Sequence, residues 1–249
     1  MIKSISLKSI YSILAAIAIA TIVFPHMSTA QVSNSSLPKQ AKPNQVYSIE
    51  QNSILIEAVR DGNLALVKAA LSQKADPNAI DEKVEEEALK DRPALQIAAD
   101  NNSLEIAKVL IAYGANVNGD DRYTYTGGTP LSTAAAKGHI EIVQLLISKG
   151  AKINISADGG YTALDEAIAE NRAEVVKFLL ENGATPNRYV DGYSPLYFAA
   201  ELGYTKIVSI LIEHGADVNF GNNFAKPLAI AIQKSHLEIV DILKKAGAK

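Results

Sequence analysis

Cysteine and tryptophan are both missing from this chain of 249 residues. Without cysteine there can be no disulfide, no thiolate metal site, no cysteine nucleophile and no lipid-modified cysteine anchor. Such a chain suits an oxidising compartment, where nothing in it can be mispaired. Aromatic residues are sparse at 6%, which argues for thin layers of small helices rather than a thick aromatic core. Charge of one sign is not in large excess either. The formal net charge is −3, so the broad basic footprint of a nucleic-acid binder is lacking. A long apolar stretch, Ile10 to Phe24, is broken by Tyr11, Ser12 and Thr21 and closed by Pro25. A membrane-spanning helix needs about 20 apolar residues, and this stretch falls short. What remains is an ordinary globular balance, 48% apolar and 20% charged.

That stretch belongs to an export leader. Lys3 and Lys8 supply a positive start, and Ser28-Thr29-Ala30 puts small residues where a cleavage site requires them, so residues 1–30 read as a signal peptide. Cleavage would remove both lysines and no acids, taking the net charge from −3 to −5. No stable membrane anchor would then be left. Residues 31–49, with Ser33, Asn34, Ser35, Ser36, Pro38 and Pro43, read as a flexible tether. The style of the leader is bacterial. The expected destination is therefore the periplasm, with secretion or inner-membrane tethering as the alternatives.

A repeat organises everything after the tether. Gly-Ala pairs fall at Gly114, Gly150, Gly183, Gly215 and Gly247, at successive spacings of 36, 33, 32 and 32. Leu95, Leu131, Leu164, Leu196 and Leu228 keep the same spacings. Two independent markers holding one period point to a stack of supersecondary units. Within a unit the order has a physical sense. Thr129 can cap a helix, Pro130 tolerates its first position, and Ala134 and Ala135 let a neighbour approach closely. Gly138-His139 breaks the chain. Ile140, Ile142, Val143, Leu145, Leu146 and Ile147 then give a second helix a wide apolar face, and Gly150 ends it. Asn154 starts the reversal into the next unit.

This pattern resembles the ankyrin repeat, whose signature is a Thr-Pro-Leu start, a Gly-His break, a Val-x-x-Leu-Leu run, then Gly-Ala and Asn. Gly128 to Asn154 carries nearly all of it. Tyr161 to Asn187 departs at Ala163 and at Asn171-Arg172, and Tyr193 to Asn219 has Gly203-Tyr204 at the break. Pro93 to Asn118 shows Asn102-Ser103 there, Ser53 to Asn78 is a divergent first unit, and Lys226 to Lys249 is the last. The resemblance implies an all-α repeat solenoid of six helix-turn-helix units, each with a hairpin loop, over residues 50–249. The repeats fall at about 50–79, 92–119, 126–155, 159–188, 191–220 and 223–249. The end units are expected to act as polar caps: Arg60, Asp61 and Lys68 mark the first, and Lys234, Asp241, Lys244 and Lys245 the last. On that pattern the solenoid is expected to be complete.

Two insertions interrupt the period. Residues 81–91 hold six acids and two lysines, which reads as a solvated helical loop or, alternatively, an acidic finger for a basic partner. Gly119 to Thr126 lengthens one hairpin tip and carries Tyr123 and Tyr125. The resemblance further implies that hairpin tips and first helices line a concave binding surface. Carried over by position, that surface takes in Tyr123, Tyr125, Tyr161, Tyr193, Tyr197 and Phe224 with the acids Glu170 and Glu201. Tyrosine joins a rigid apolar body to a polar tip, the mixture that anchors interfaces. The alternative for each tyrosine is packing against the next hairpin.

No pattern for chemistry accompanies this face. No two histidines sit four apart, and there is no P-loop, no Gly-x-Ser-x-Gly elbow and no dinucleotide fingerprint. In the family, histidines at the break positions of His139 and His236 tie loops together. Carboxylates, including Asp165-Glu166, are expected on solvated helix faces. The chain is thus expected to be a non-catalytic protein-binding scaffold without metal or cofactor. Two narrower roles compete: an immunity protein against a periplasm-directed toxin, and an accessory factor of an exported stress-defence enzyme.

Overall fold

The computed structural model describes residues 49–80, 92–119, 128–156, 161–189, 192–221 and 226–249. The leader, most of the tether, the first insertion and all of the second beyond Gly119 lie outside them. All the described residues fall within one compact unit, Val46–Lys249. Every regular element among them is a helix, in six pairs: α1 (Ile49–Arg60) with α2 (Leu64–Ser72), α3 (Ala94–Asp100) with α4 (Leu104–Ala112), α5 (Pro130–Lys137) with α6 (Ile140–Ser148), α7 (Ala163–Ala169) with α8 (Ala173–Glu181), α9 (Pro195–Glu201) with α10 (Thr205–Glu213), and α11 (Pro227–Gln233) with α12 (Leu237–Lys245). Each first helix packs on the first helices before and after it, and the second helices form a parallel, looser row. The fold is the expected helical repeat array.

Helices of seven to nine residues are too short to stand alone in water, so local devices start them and neighbours hold them. Thr129 caps α5 by accepting from Ser132 N at 3.0 Å, while Ser132 Oγ accepts from Thr129 N at 2.8 Å. Ser194 does the same service for α9, accepting from Tyr197 N at 3.1 Å, and Pro195 supplies a preset first residue. In the second helices, apolar residues one turn apart turn inward: Ile142, Val143 and Leu146 in α6, then Ile207, Val208, Ile210 and Leu211 in α10. The first helices bring small side chains instead. Ala58, Ala98, Ala134, Ala167, Ala199 and Ala231, one per repeat at the repeat spacing, are all fully buried.

Each repeat makes two sharp reversals, and each reversal needs a left-handed residue. After the first helices these are Gly62, Asn102, Gly138, Asn171, Gly203 and Ser235. After the second helices they are Lys74, Gly114, Gly150, Gly183, Gly215 and Gly247. Lys74 and Ser235, at φ of 68° and 60°, therefore hold a conformation that costs a side-chain-bearing residue about 1 kcal/mol. Lys74→Gly and Ser235→Gly should each raise stability by about 0.5–1 kcal/mol, read as a higher denaturation midpoint. A lower midpoint for either would show that the side chain contributes more than the backbone relief.

Candidate binding face

The face made by hairpin tips and first helices is held in register by two rows of side chains that reach from one repeat to the next. The first row is asparagine. Asn78, Asn118, Asn154, Asn187 and Asn219 accept, in that order, from the backbone N–H groups of Asn116, Lys152, Thr185, Asp217 and Lys249, at 2.7 to 3.0 Å. The last three also donate to the carbonyls of Gly183, Gly215 and Gly247. Asn154 therefore does more than start a turn: it fastens its own repeat to the next. The second row lies at the breaks. His139 Nε2 donates to the Asp100 carbonyl at 3.1 Å and His236 Nε2 to that of Glu201 at 3.2 Å, the loop-tying role that the resemblance implies. Arg172 takes the same role where histidine is replaced, donating to the Ala136 carbonyl at 3.0 Å. A side chain at Gly203 would bring its Cβ within 2.8 Å of the His236 ring, so glycine there serves the close approach as well as the turn.

Upon this frame the expected site residues divide. Tyr123, Tyr125 and Phe224 lie outside the described residues. Tyr161, just before α7, is half-buried. Tyr193, just before α9, is 36% exposed, and its ring sits 4.5 Å from that of Tyr197 and 5.7 Å from that of Phe198. Tyr197 itself is not a surface residue. It is only 8% exposed, because the third position of a first helix faces the next repeat; Gln96, Ser132 and Asp165 hold the same place and are buried too. Tyr197 backs Tyr193 as a packing partner and leaves the list of direct contacts. Two further aromatics lie on the hairpins, Tyr189 exposed and Phe220 half-buried. Tyr189 is 52% exposed and stacks at 4.5 Å on Phe220 of the following hairpin. Tyr189 follows Asn187 by two residues and Phe220 follows Asn219 by one.

The acids divide as well. Asp165 is buried, not solvated. One oxygen accepts from Thr162 N at 2.8 Å and from Thr162 Oγ1 at 2.7 Å, and Arg188 closes an ion pair on that same Oδ2. Glu201 is half-buried and lies 3.6 Å from Lys234 of the next repeat. Asp100 similarly joins Arg92 and Lys137, each at 3.2 Å. Glu170, exposed at the end of α7, has no ion pair among the described residues. Asp100 with Lys137 and Glu201 with Lys234 are thus paired across repeats, while Asp61 and Glu170, at places equivalent to each other, have no ion pair among the described residues. Among the described residues, no group of three potential metal ligands gathers, and no helix is long and apolar enough to cross a membrane.

The family model for ankyrin repeats (three copies) matches residues 34–121, 55–157, 95–190 and 187–249 in overlapping placements. The chain belongs to the ankyrin-repeat family. The crystal structure of the human ASB11 ankyrin repeat domain superposes with a TM-score of 0.65 at 29% identity, over 78% of this chain and 84% of that one. Among curated proteins, the probable E3 ubiquitin-protein ligase XBOS32 of Oryza sativa subsp. japonica is 37% identical over 113 residues, 44% of this chain. The B-cell lymphoma 3 protein homolog of Mus musculus is 33% identical over 107 residues, 43% of this chain. Each match spans only 22% of the relative's own length. The ankyrin fold is in general a non-catalytic scaffold for protein–protein contacts, and the likeness to a ligase covers too little of that protein to carry its activity across.

Within the ankyrin array Asp100 gives a pH-dependent prediction. Burial alone would raise its carboxyl, but Arg92 and Lys137 outweigh that and hold it below the ordinary carboxylate value. A depressed carboxyl contributes stability that is complete above the unfolded value of about 3.9 and is lost as pH falls through the lower folded value. Asp100→Asn should thus cost on the order of 0.5 kcal/mol at neutral pH, allowing for solvent screening, and progressively less as pH falls below the unfolded value of about 3.9. Denaturant midpoints of the two proteins at neutral pH and through the acid range test this. A gap that persists in acid would exclude the ion pairs as its source.

Proposed function

We infer that this chain is a non-catalytic scaffold that holds another protein on the face of its hairpin tips and first helices, centred on repeats three to five. The carrying observation is the aromatic surface of Tyr193, Tyr189 and Phe220 in an array whose neighbouring rim charges, Glu201 with Lys234 and Asp100 with Arg92 and Lys137, are already paired. Glu170 stays available to a cationic group on the partner. A face assembled from stacked short helices loses little conformational entropy on docking, so a few aromatic anchors suffice for affinity.

The leader and the cysteine-free composition support action in the periplasm or cell envelope, with release from the cell or inner-membrane tethering as alternative endpoints. The excess of acids favours a basic partner. A cationic toxin neutralised on this face would make the chain an immunity protein; a resident exported enzyme would make it an accessory factor. Capture by the chain from residue 31 onward, from an envelope fraction and separately from toxin-bearing competitors, identifies which source supplies the partner.

With the partner in hand, Tyr193→Ala and Glu170→Lys should each weaken binding tenfold or more, about 1.4 kcal/mol or above, while the thermal melt changes little. Lys177→Ala, on the exposed side of the second helix α8, should leave affinity unchanged. Folded Tyr193→Ala and Glu170→Lys variants that bind like the parent would rule out this face.

A further inference from the structure

The two ends of the array are not alike. At the start, α1 is longer than the other first helices, and Asn52 in its first turn accepts from Asp76 N at 2.7 Å. That bond is the one Asn78 and its later equivalents make to a following repeat, so the added turn stands in for a preceding unit and seals the first repeat. The last repeat has no such seal. Ile232 on α11 is 56% exposed, whereas its equivalents Val59, Ala99, Ala135, Ile168 and Ala200 are at most 1% exposed because the next repeat covers them. Leu237 on α12 is 73% exposed, whereas Leu64, Leu104, Ile140, Ala173 and Thr205 are half-buried at that place. Ala229, one turn before Ile232, is exposed as well. The last unit is therefore only in part the polar cap that its lysines suggest.

The charges on this end say what covers it. Leu237, Asp241 and Lys244 follow one another along one side of α12, and all are exposed. Where Lys244 stands, the other repeats place Leu71, Ile111, Ile147, Leu180 and Ile212, each wholly or partly buried. A further ankyrin unit stacked here would bury the stem and charge of Lys244 against apolar neighbours, which is unfavourable without a partner charge. A second copy of the same surface brings that charge. Set antiparallel across a two-fold axis passing near Ile242, α12 of one copy places Asp241 opposite Lys244 of the other, and the symmetry makes the pair twice. The apolar residues Ile232, Ala229 and Leu237 would be covered in the same contact.

We propose that the chain forms a two-fold, tail-to-tail dimer through the outer side of its last repeat, with Ile232 and Leu237 as the apolar contact and Asp241 paired with Lys244 of the second copy. Such an isologous contact closes on itself, so growth stops at two copies. It leaves the faces of repeats three to five free on both copies, and a bivalent binder results whose reach exceeds that of either face alone. This inference does not depend on the concave-face reading.

Light scattering and sedimentation of residues 31–249, which contain the compact unit Val46–Lys249, test it over a range of concentrations. The expected result is a mass rising from one copy to two and no further. Ile232→Glu with Leu237→Glu should give a monomer whose helical circular dichroism is unchanged. Asp241→Lys should weaken the dimer about tenfold, and adding Lys244→Asp to it should restore the affinity. Because both charge variants alter only exposed positions, they keep the test valid if the glutamate variant folds poorly. Leu66→Glu, at the opposite end, should leave the dimer intact. A parent chain that stays monomeric would overturn the proposal. Mass growth beyond two copies, or dissociation caused by Leu66→Glu, would overturn it in favour of head-to-tail stacking.

Discussion

The close approach of neighbouring first helices is the constraint on which the rest depends. One small side chain per repeat, Ala58 to Ala231, is fully buried along it. Only at that distance can Asn154 reach Thr185 N and Gly183 O in the next repeat, and only there can the ring of His236 meet the Glu201 carbonyl over Gly203. Each helix alone is too short to be stable, so stability is a property of neighbouring pairs of repeats and accumulates along the stack. The polar ties then add direction to an otherwise slippery apolar contact, because each connects one defined residue to one defined backbone group.

Much of this was legible in the residues. The Gly-Ala and leucine markers share one period, and the alanines after each leucine marker announce the close helix contact. Gly138-His139 and Gly150 announce two reversals, and the structure has left-handed residues at both. The histidine ties at His139 and His236 follow the resemblance, and Arg172 substitutes for a third because its longer side chain still delivers an N–H to the same carbonyl position. What escaped were facts of side-chain direction. Tyr197 and Asp165 share a column with Gln96 and Ser132, and that column turns toward the following repeat. A spacing argument places all four on a first helix but does not say which side of it they take. Asp165 escaped for a second reason: its burial depends on Arg188, a residue of the next hairpin 23 positions away.

The same packing shapes what the face can recognise. Charges at the ends of the first helices find partners in the adjacent repeat, as Asp100 finds Lys137 and Glu201 finds Lys234. Such pairs remove charge from the rim and leave aromatic groups as the main anchors, with Tyr193 braced by Tyr197 beneath it and Tyr189 by Phe220 beside it. Braced rings have little rotamer freedom to lose on binding, which favours affinity per contact. The ankyrin array thereby explains how a partner would be held without naming it, since the same scaffold carries unrelated partners in unrelated proteins.

Hydrogen–deuterium exchange of the array with and without its bound partner tests the central claim most directly. The account predicts that protection on binding is confined to the hairpin tips and to α5, α7 and α9, with the second helices α6, α8 and α10 exchanging as before. Protection concentrated on those second helices, with the first helices and tips unchanged, would contradict it.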